Sequence, residues 1–111
     1  MEYYIDGNKV LEQMHAQGRH ACDVLTAEQG CVNGCKAGYT FYADTEYHKG
    51  GVHEDQEGFL VLEGTGMAKF DDEEFAVYPG MMMVAPAGVR HTIRRDPDSV
   101  PVKVFWFHSA V

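Results

Sequence analysis

Basic side chains are scarce in this chain. Nine Lys and Arg stand against seventeen Asp and Glu among 111 residues, a formal net charge of −8. A surface that grips duplex DNA or anionic lipid needs clustered Lys and Arg, and the longest basic run is Arg94-Arg95. Nucleic acid and membrane are therefore not expected as partners, and the acidity reads as solubility. Long apolar runs are missing too: none approaches the ~20 residues that span a bilayer as a helix. The opening Met1-Glu2-Tyr3-Tyr4-Ile5-Asp6 lacks the basic-then-apolar order of a secretion signal, which predicts a cytoplasmic protein. Cysteine is sparse and odd in number, with Cys22, Cys31 and Cys35, which suits a reducing compartment better than a disulfide framework. A zinc site at Cys31 and Cys35 would need two more ligands nearby, so they are read as reduced structural thiols. Repeats, low-complexity tracts and linkers are absent from the sequence, and its length suits one domain, residues 1–111.

What is present is a succession of short β-favouring runs split by turn residues. Tyr3 to Ile5 reads as a short strand. Asp6-Gly7-Asn8 supplies capping side chains for one helix from about Lys9 to Gln17, where Val10, Leu11 and Met14 recur at helical spacing and Gly18 is a stop. Helical periodicity then ends. Strands are expected at Ala21–Ala27, Lys36–Ala43, Phe59–Glu63, Met67–Phe70, Glu74–Tyr78, Met81–Ala85, His91–Arg95 and Val102–Phe107. Many short strands with closely spaced turns mean an all-β sandwich or barrel. The last strand is apolar on both faces: Val102, Val104 and Trp106 on one, Phe105 and Phe107 on the other. Either a partner subunit, which would make a homodimer, or the N-terminal helix would have to cover its outer face.

The stretch from Tyr47 to Arg95 carries the candidate chemistry. Side chains two apart on a strand share a face, so a regular strand would turn His53 and Glu57 the same way as Phe59 and Val61, into the interior. A buried imidazole and carboxylate need compensation, which a metal ion provides. With His91 from a second strand they make a two-His, one-carboxylate set suited to iron, manganese, nickel or zinc. His48 has the wrong parity, but Gly50-Gly51 can reset the count, making it a candidate fourth ligand. His108 shares the parity of Trp106 and is read as an ordinary core or surface histidine.

These residues fall in two motifs that resemble those of the cupin superfamily. The first motif, about 47–64, matches in its second half at His53, Glu57 and Gly64; the second, about 80–95, matches at Gly80, Pro86, Gly88 and His91. Two departures stand out: Gly51 occupies the place of the first histidine, and Arg95 replaces the usual asparagine. The resemblance implies a cupin jelly-roll β-barrel holding one divalent transition metal and a small-molecule ligand. It implies a cavity lined by Phe59, Met81 or Met83, Tyr39 or Phe41, and Arg95, which shares a strand face with His91 and suits an anionic group. The function it implies is metal Lewis-acid or O2 chemistry on a small oxygenated molecule, a sugar, keto acid or polyol. A non-catalytic binding or sensing cupin is the alternative, and an empty structural barrel a third. Fold alone does not choose the reaction or a catalytic residue.

Overall fold

A computed structural model describes residues 2–109. The one helix, α1 (Gly7–Gln17), begins two residues earlier than the apolar spacing suggests. The Asp6 side chain accepts from the Asn8 N–H at 3.0 Å and so takes up an orphan donor at its start. Gly18 closes it in the left-handed region at φ 63°, its N–H returning to the His15 carbonyl. Tyr3 to Ile5 does not form the expected strand; these residues are exposed and pair with no sheet.

Eight strands follow: β1 (Ala21–Leu25), β2 (Lys36–Tyr42), β3 (Gln56–Glu63), β4 (Gly66–Phe70), β5 (Glu73–Val77), β6 (Met82–Ala85), β7 (His91–Arg95) and β8 (Val102–Ser109). β1 stops short of Ala27 because Thr26 caps a one-turn 3-10 helix, Ala27–Gln29, in a reciprocal box with Gln29. β3 starts three residues before the expected Phe59, and β8 runs two beyond Phe107. All pairings are antiparallel. They give a five-stranded sheet in the order β1-β2-β8-β3-β6 and a three-stranded sheet in the order β5-β4-β7. The expected all-β jelly roll with an N-terminal helix is therefore what the chain adopts.

The core lies between the two sheets. Phe59 and Val61 from β3, Val102, Val104 and Trp106 from β8, and Ala85 from β6 face Ala68, Val77 and Ile93 from the smaller sheet. Trp106 is bonded on this inner side: its Nε1–H donates to the Thr40 hydroxyl at 2.9 Å. Gly38, in register with Trp106, lets the indole lie flat on β2, since a Cβ there would come within 2.6 Å of the ring.

The register fixes which aromatics face out. Tyr39 pairs with Phe105, and their rings meet edge to face at 6.1 Å on the outer side of the large sheet. Helix α1 lies on this side: Gly7 touches the Tyr39 ring, and Met14 shares a small cavity with Phe41. The helix covers only the β1–β2 end. Further along the same face Phe107, Met82 and Val84 stay exposed, and they lie in adjacent strands around Gly58 and Leu60.

Candidate metal centre

Four segments deliver polar side chains to one end of the core. Glu57 points inward from β3 because it alternates with Phe59 and Val61, both buried. His91 opens β7. His108 follows Val102, Val104 and Trp106 along the inner face of β8. His53 belongs to no strand. It sits in the loop before β3, so the parity expected for a regular strand is not what brings it in. Its carbonyl instead accepts from the Gly88 N–H at 2.9 Å, which ties the loop to the turn before β7.

All three imidazoles converge on one carboxylate oxygen. Glu57 Oε1 lies 3.0 Å from His91 Nε2, 3.3 Å from His53 Nε2 and 3.5 Å from His108 Nε2. The ligand atoms of His53, Glu57 and His108 all lie within 4.8 Å of one another, and His91 joins this group through Glu57 Oε1. Glu57, His91 and His108 are buried, and only His53, whose side chain is 38% exposed, opens to solvent. Phe59 and Phe70 pack edge-on or tilted against His91, and Trp106 packs against His108 at 5.3 Å.

The outer nitrogens settle the proton positions. His91 Nδ1 lies 3.1 Å from the Val89 carbonyl oxygen, and His108 Nδ1 lies 2.9 Å from Asp55 Oδ2. Both oxygens can only accept, so each Nδ1 carries the proton. In the neutral rings the Nε2 lone pairs therefore face the Glu57 carboxylate, itself an acceptor. Acceptor meets acceptor at hydrogen-bond distance, which calls for a proton or a cation between them.

In His91 a proton meets this need when nothing else does. Burial disfavours its imidazolium, but the Glu57 hydrogen bond, the Val89 carbonyl and the Glu57 charge outweigh burial and raise its pKa. A raised folded pKa adds stability that is complete below the unfolded value of about 6.5 and is lost as pH rises through the folded value. Metal-free protein should thus lose thermal stability as pH rises above about 6.5, and His91→Gln should flatten that part of the profile. A wild-type melting temperature that rises over this range would contradict the assignment. Tyr42, half-buried on the inner face of β2, has its phenol pushed well up by burial and by the Glu57 charge.

Gly51 stands against the same cluster. Its backbone pairs with that of His91 through two 3.0 Å hydrogen bonds, and a Cβ on it would lie 3.2 Å from His53 Nε2 and 3.8 Å from His91 Nε2. A side chain at position 51 would therefore project into the cluster. The family model for the cupin domain matches residues 39–108, which takes in all of these groups. The chain belongs to the cupin family. Solved cupins share its architecture at low identity, which speaks for fold alone. A cupin-2 domain protein from Shewanella frigidimarina is 21% identical with a TM-score of 0.68, over 95% of this chain and 93% of that one. The cupin domain of Cnp3 from Schizosaccharomyces pombe is 12% identical with a TM-score of 0.70, over 82% of this chain; the matched part spans 60% of that chain. A putative ethanolamine utilization protein Q from Salmonella typhimurium is 18% identical with a TM-score of 0.64, over 79% of this chain and 66% of that one. No curated protein sequence matches the chain.

Of the residues expected at the site of this cupin, His53, Glu57, His91 and Phe59 lie together. His48 does not join them: it is exposed, stacks on Tyr42 and accepts the Gly50 N–H at Nδ1, 3.0 Å away. Tyr39 and Phe41 lie outside the barrel, against α1. Arg95 shares the face of His91 but sits four residues along, about 13 Å away. Its guanidinium is taken up by main-chain oxygens of Ala43, Asp96, Pro97 and Ser99. Met81 and Met83 pack against the core and line a groove of about 710 Å³ between β5 and β6. The four converging residues do not line that groove, but Phe70 lines it and also packs on His91. His108 is the residue that sequence reasoning set aside; the signal was its place one step beyond Trp106 on an inward-facing run.

Proposed function

We propose that this cupin holds one divalent transition metal through His53, Glu57, His91 and His108. The observation that supports this most strongly is the inward aim of the His91 and His108 Nε2 lone pairs at a carboxylate, an arrangement that a cation resolves. Three imidazoles and one carboxylate suit iron, manganese, nickel or zinc. Asp55 and the Val89 carbonyl are the outer partners that hold two of the rings in the required tautomer. His108 supplies, from a different strand, a third imidazole that position 51 does not provide. Gly51 does not adopt positive φ, so no backbone conformation demands glycine there. The room it leaves beside His53, on the solvent side, is where a small oxygenated molecule would enter. A bound ion would supply Lewis-acid polarisation to a carbonyl or hydroxyl oxygen placed there. Phe59 and Phe70 would keep the inner side dry.

One feature favours a binding module over an enzyme. Among the described residues, the imidazoles and Glu57 of the cluster are directed at the shared point and Asp55 is occupied by His108, so none of these is left over as a general base. Protein purified without chelator should carry about one transition metal per chain by elemental analysis. Sugars, keto acids and polyols should then be screened for turnover beside thermal shift. A shift without turnover supports the binder, turnover supports the enzyme, and absence of metal removes both.

Three free thiols suit the reducing interior of a cell, which is where we place the protein. We also assign the exposed face around Phe107, Met82 and Val84 to contact with a second copy. Gel filtration should give a dimer, and Phe107→Glu with Met82→Glu should give a monomer without loss of melting temperature. A wild-type monomer at all concentrations would reject that assignment.

A further inference from the structure

Outside the metal cluster, one pair of reactive side chains stands in contact. Cys31 Sγ and Cys35 Sγ lie 3.4 Å apart in the segment between the 3-10 turn and β2. The segment is built to bring them together. The Cys31 N–H donates to the Thr26 carbonyl at 3.1 Å, which anchors the start of the loop to the cap of the 3-10 turn. The Cys35 N–H donates back to the Val32 carbonyl at 3.1 Å. Between them Asn33 and Gly34 both take left-handed backbone conformations, at φ 56° and 85°. Two successive residues of this kind reverse the chain tightly and lay the second thiol over the first. Cys35 is exposed and Cys31 half-buried, so reagents can reach the pair. Cys22 is set apart in this respect: it lies within β1, and its thiol contacts the Asp23 carbonyl.

A metal does not account for the pair. Among the described residues, neither cysteine belongs to a group of three or more His, Cys, Asp or Glu side chains close enough to hold an ion. The two thiols have no third ligand beside them, and a structural zinc site takes four. A covalent bond does account for them. Sulfur atoms in a disulfide are about 2.05 Å apart, so the pair needs only a short approach.

We propose that Cys31 and Cys35 form a dithiol site that reacts reversibly with low-molecular-weight disulfides. The exposed Cys35, as thiolate, attacks one sulfur of the external disulfide and expels one thiolate, leaving a mixed disulfide on Cys35. Cys31, as thiolate, then attacks the Cys35 sulfur, forms the internal disulfide and expels the second thiolate. The two protons lost by the cysteines pass to the two released thiolates. The protein dithiol is oxidised by two electrons, and one external disulfide is reduced to two thiols. Cys31 holds its proton more tightly than an ordinary thiol because of the hydrogen bond between the two thiols. The site therefore responds to the standing ratio of disulfide to thiol, slowly, rather than acting as a fast peroxide sensor. Its position gives the response a place to be felt. Cys35 directly precedes Lys36, the register partner of His108.

The test uses the full chain equilibrated with mixtures of oxidised and reduced glutathione, quenched in acid, alkylated and weighed intact. The wild type should lose two hydrogens without a lasting glutathione adduct, and peptide mapping should place the bond between Cys31 and Cys35 with Cys22 alkylated. Excess reduced glutathione should restore all three thiols. Cys31→Ser should stop at the mixed disulfide on Cys35. The folded chain should favour closure at least about tenfold more than the same chain in denaturant, because the turn raises the effective concentration of one thiol at the other. Persistent adducts without closure, pairing through Cys22, or equal closure in folded and unfolded chain would each overturn the proposal. None of these readouts depends on metal at the histidine cluster.

Discussion

Replacing His53 and His91 together with alanine should strip this cupin of the metal we propose it holds. Content should fall from about one ion per chain to a trace, with affinity down by well over a hundredfold, since even partners outside the ligand set typically contribute ten- to a hundredfold. The reason lies in the direction of the bonds. His91 enters from β7 and His53 from the loop before β3, and they reach Glu57 Oε1 from different sides, at 3.0 and 3.3 Å. Without them only His108 still faces the carboxylate, and two ligands do not hold a transition metal in competition with water. Asp55→Ala makes the sharper comparison. It touches no proposed ligand atom, yet it frees His108 to take the other tautomer, and should weaken binding by about ten- to a hundredfold. Apo-protein NMR of the imidazole nitrogens can follow that tautomer without any metal. Unchanged metal content in the double variant would remove the site altogether. Unchanged affinity in Asp55→Ala would remove only the role of the outer carboxylate.

The second large effect concerns stability. Trp106→Ala should cost about 3–5 kcal/mol, the range for truncating a buried large aromatic. Two losses combine here. The indole lies over Gly38 and against His108, so its removal leaves a void between them. Its Nε1–H also bonds the Thr40 hydroxyl, which is left without that donor in the core. Trp106→Phe should keep most of the volume and cost less, chiefly the hydrogen bond and the residual void. Because Trp106 also packs on His108, the alanine variant should weaken metal binding, whereas the phenylalanine variant should not. Urea unfolding of the metal-free proteins separates the two effects. A loss below about 1 kcal/mol for Trp106→Ala would mean that the ring is not the central piece of the core.

How much of this could be read in the residues depends on whether neighbours in sequence decide it. Strand β7 matches its expected bounds, His91–Arg95, because turn residues flank it on both sides. Glu57 was placed inward by its alternation with Phe59 and Val61, and the alternation holds. His53 was assigned by the same counting, yet it lies in a loop and owes its position to the Gly88 bond, a contact 35 residues away that no local pattern encodes. Tyr39 and Tyr42 lie on opposite faces, as parity requires, but which one faces the core is decided by where α1 docks. His108 was visible as one more step of an inward run. A single histidine at the end of a strand carries no signal by itself, and Asp55, which orients it, is 53 residues distant. Arg95 was placed on the correct strand, but sharing a face does not bring groups together when two pleats separate them.

The converging histidines also bear on the order in which the molecule can mature. Their side chains come from positions 53, 91 and 108, so the last of them arrives only when the closing strand has slotted between β2 and β3. An ion offered early to the nascent polypeptide meets scattered donors and no cage. For the metal site we propose, loading would wait until β8 is seated, and an ion held there would report that the scaffold is finished.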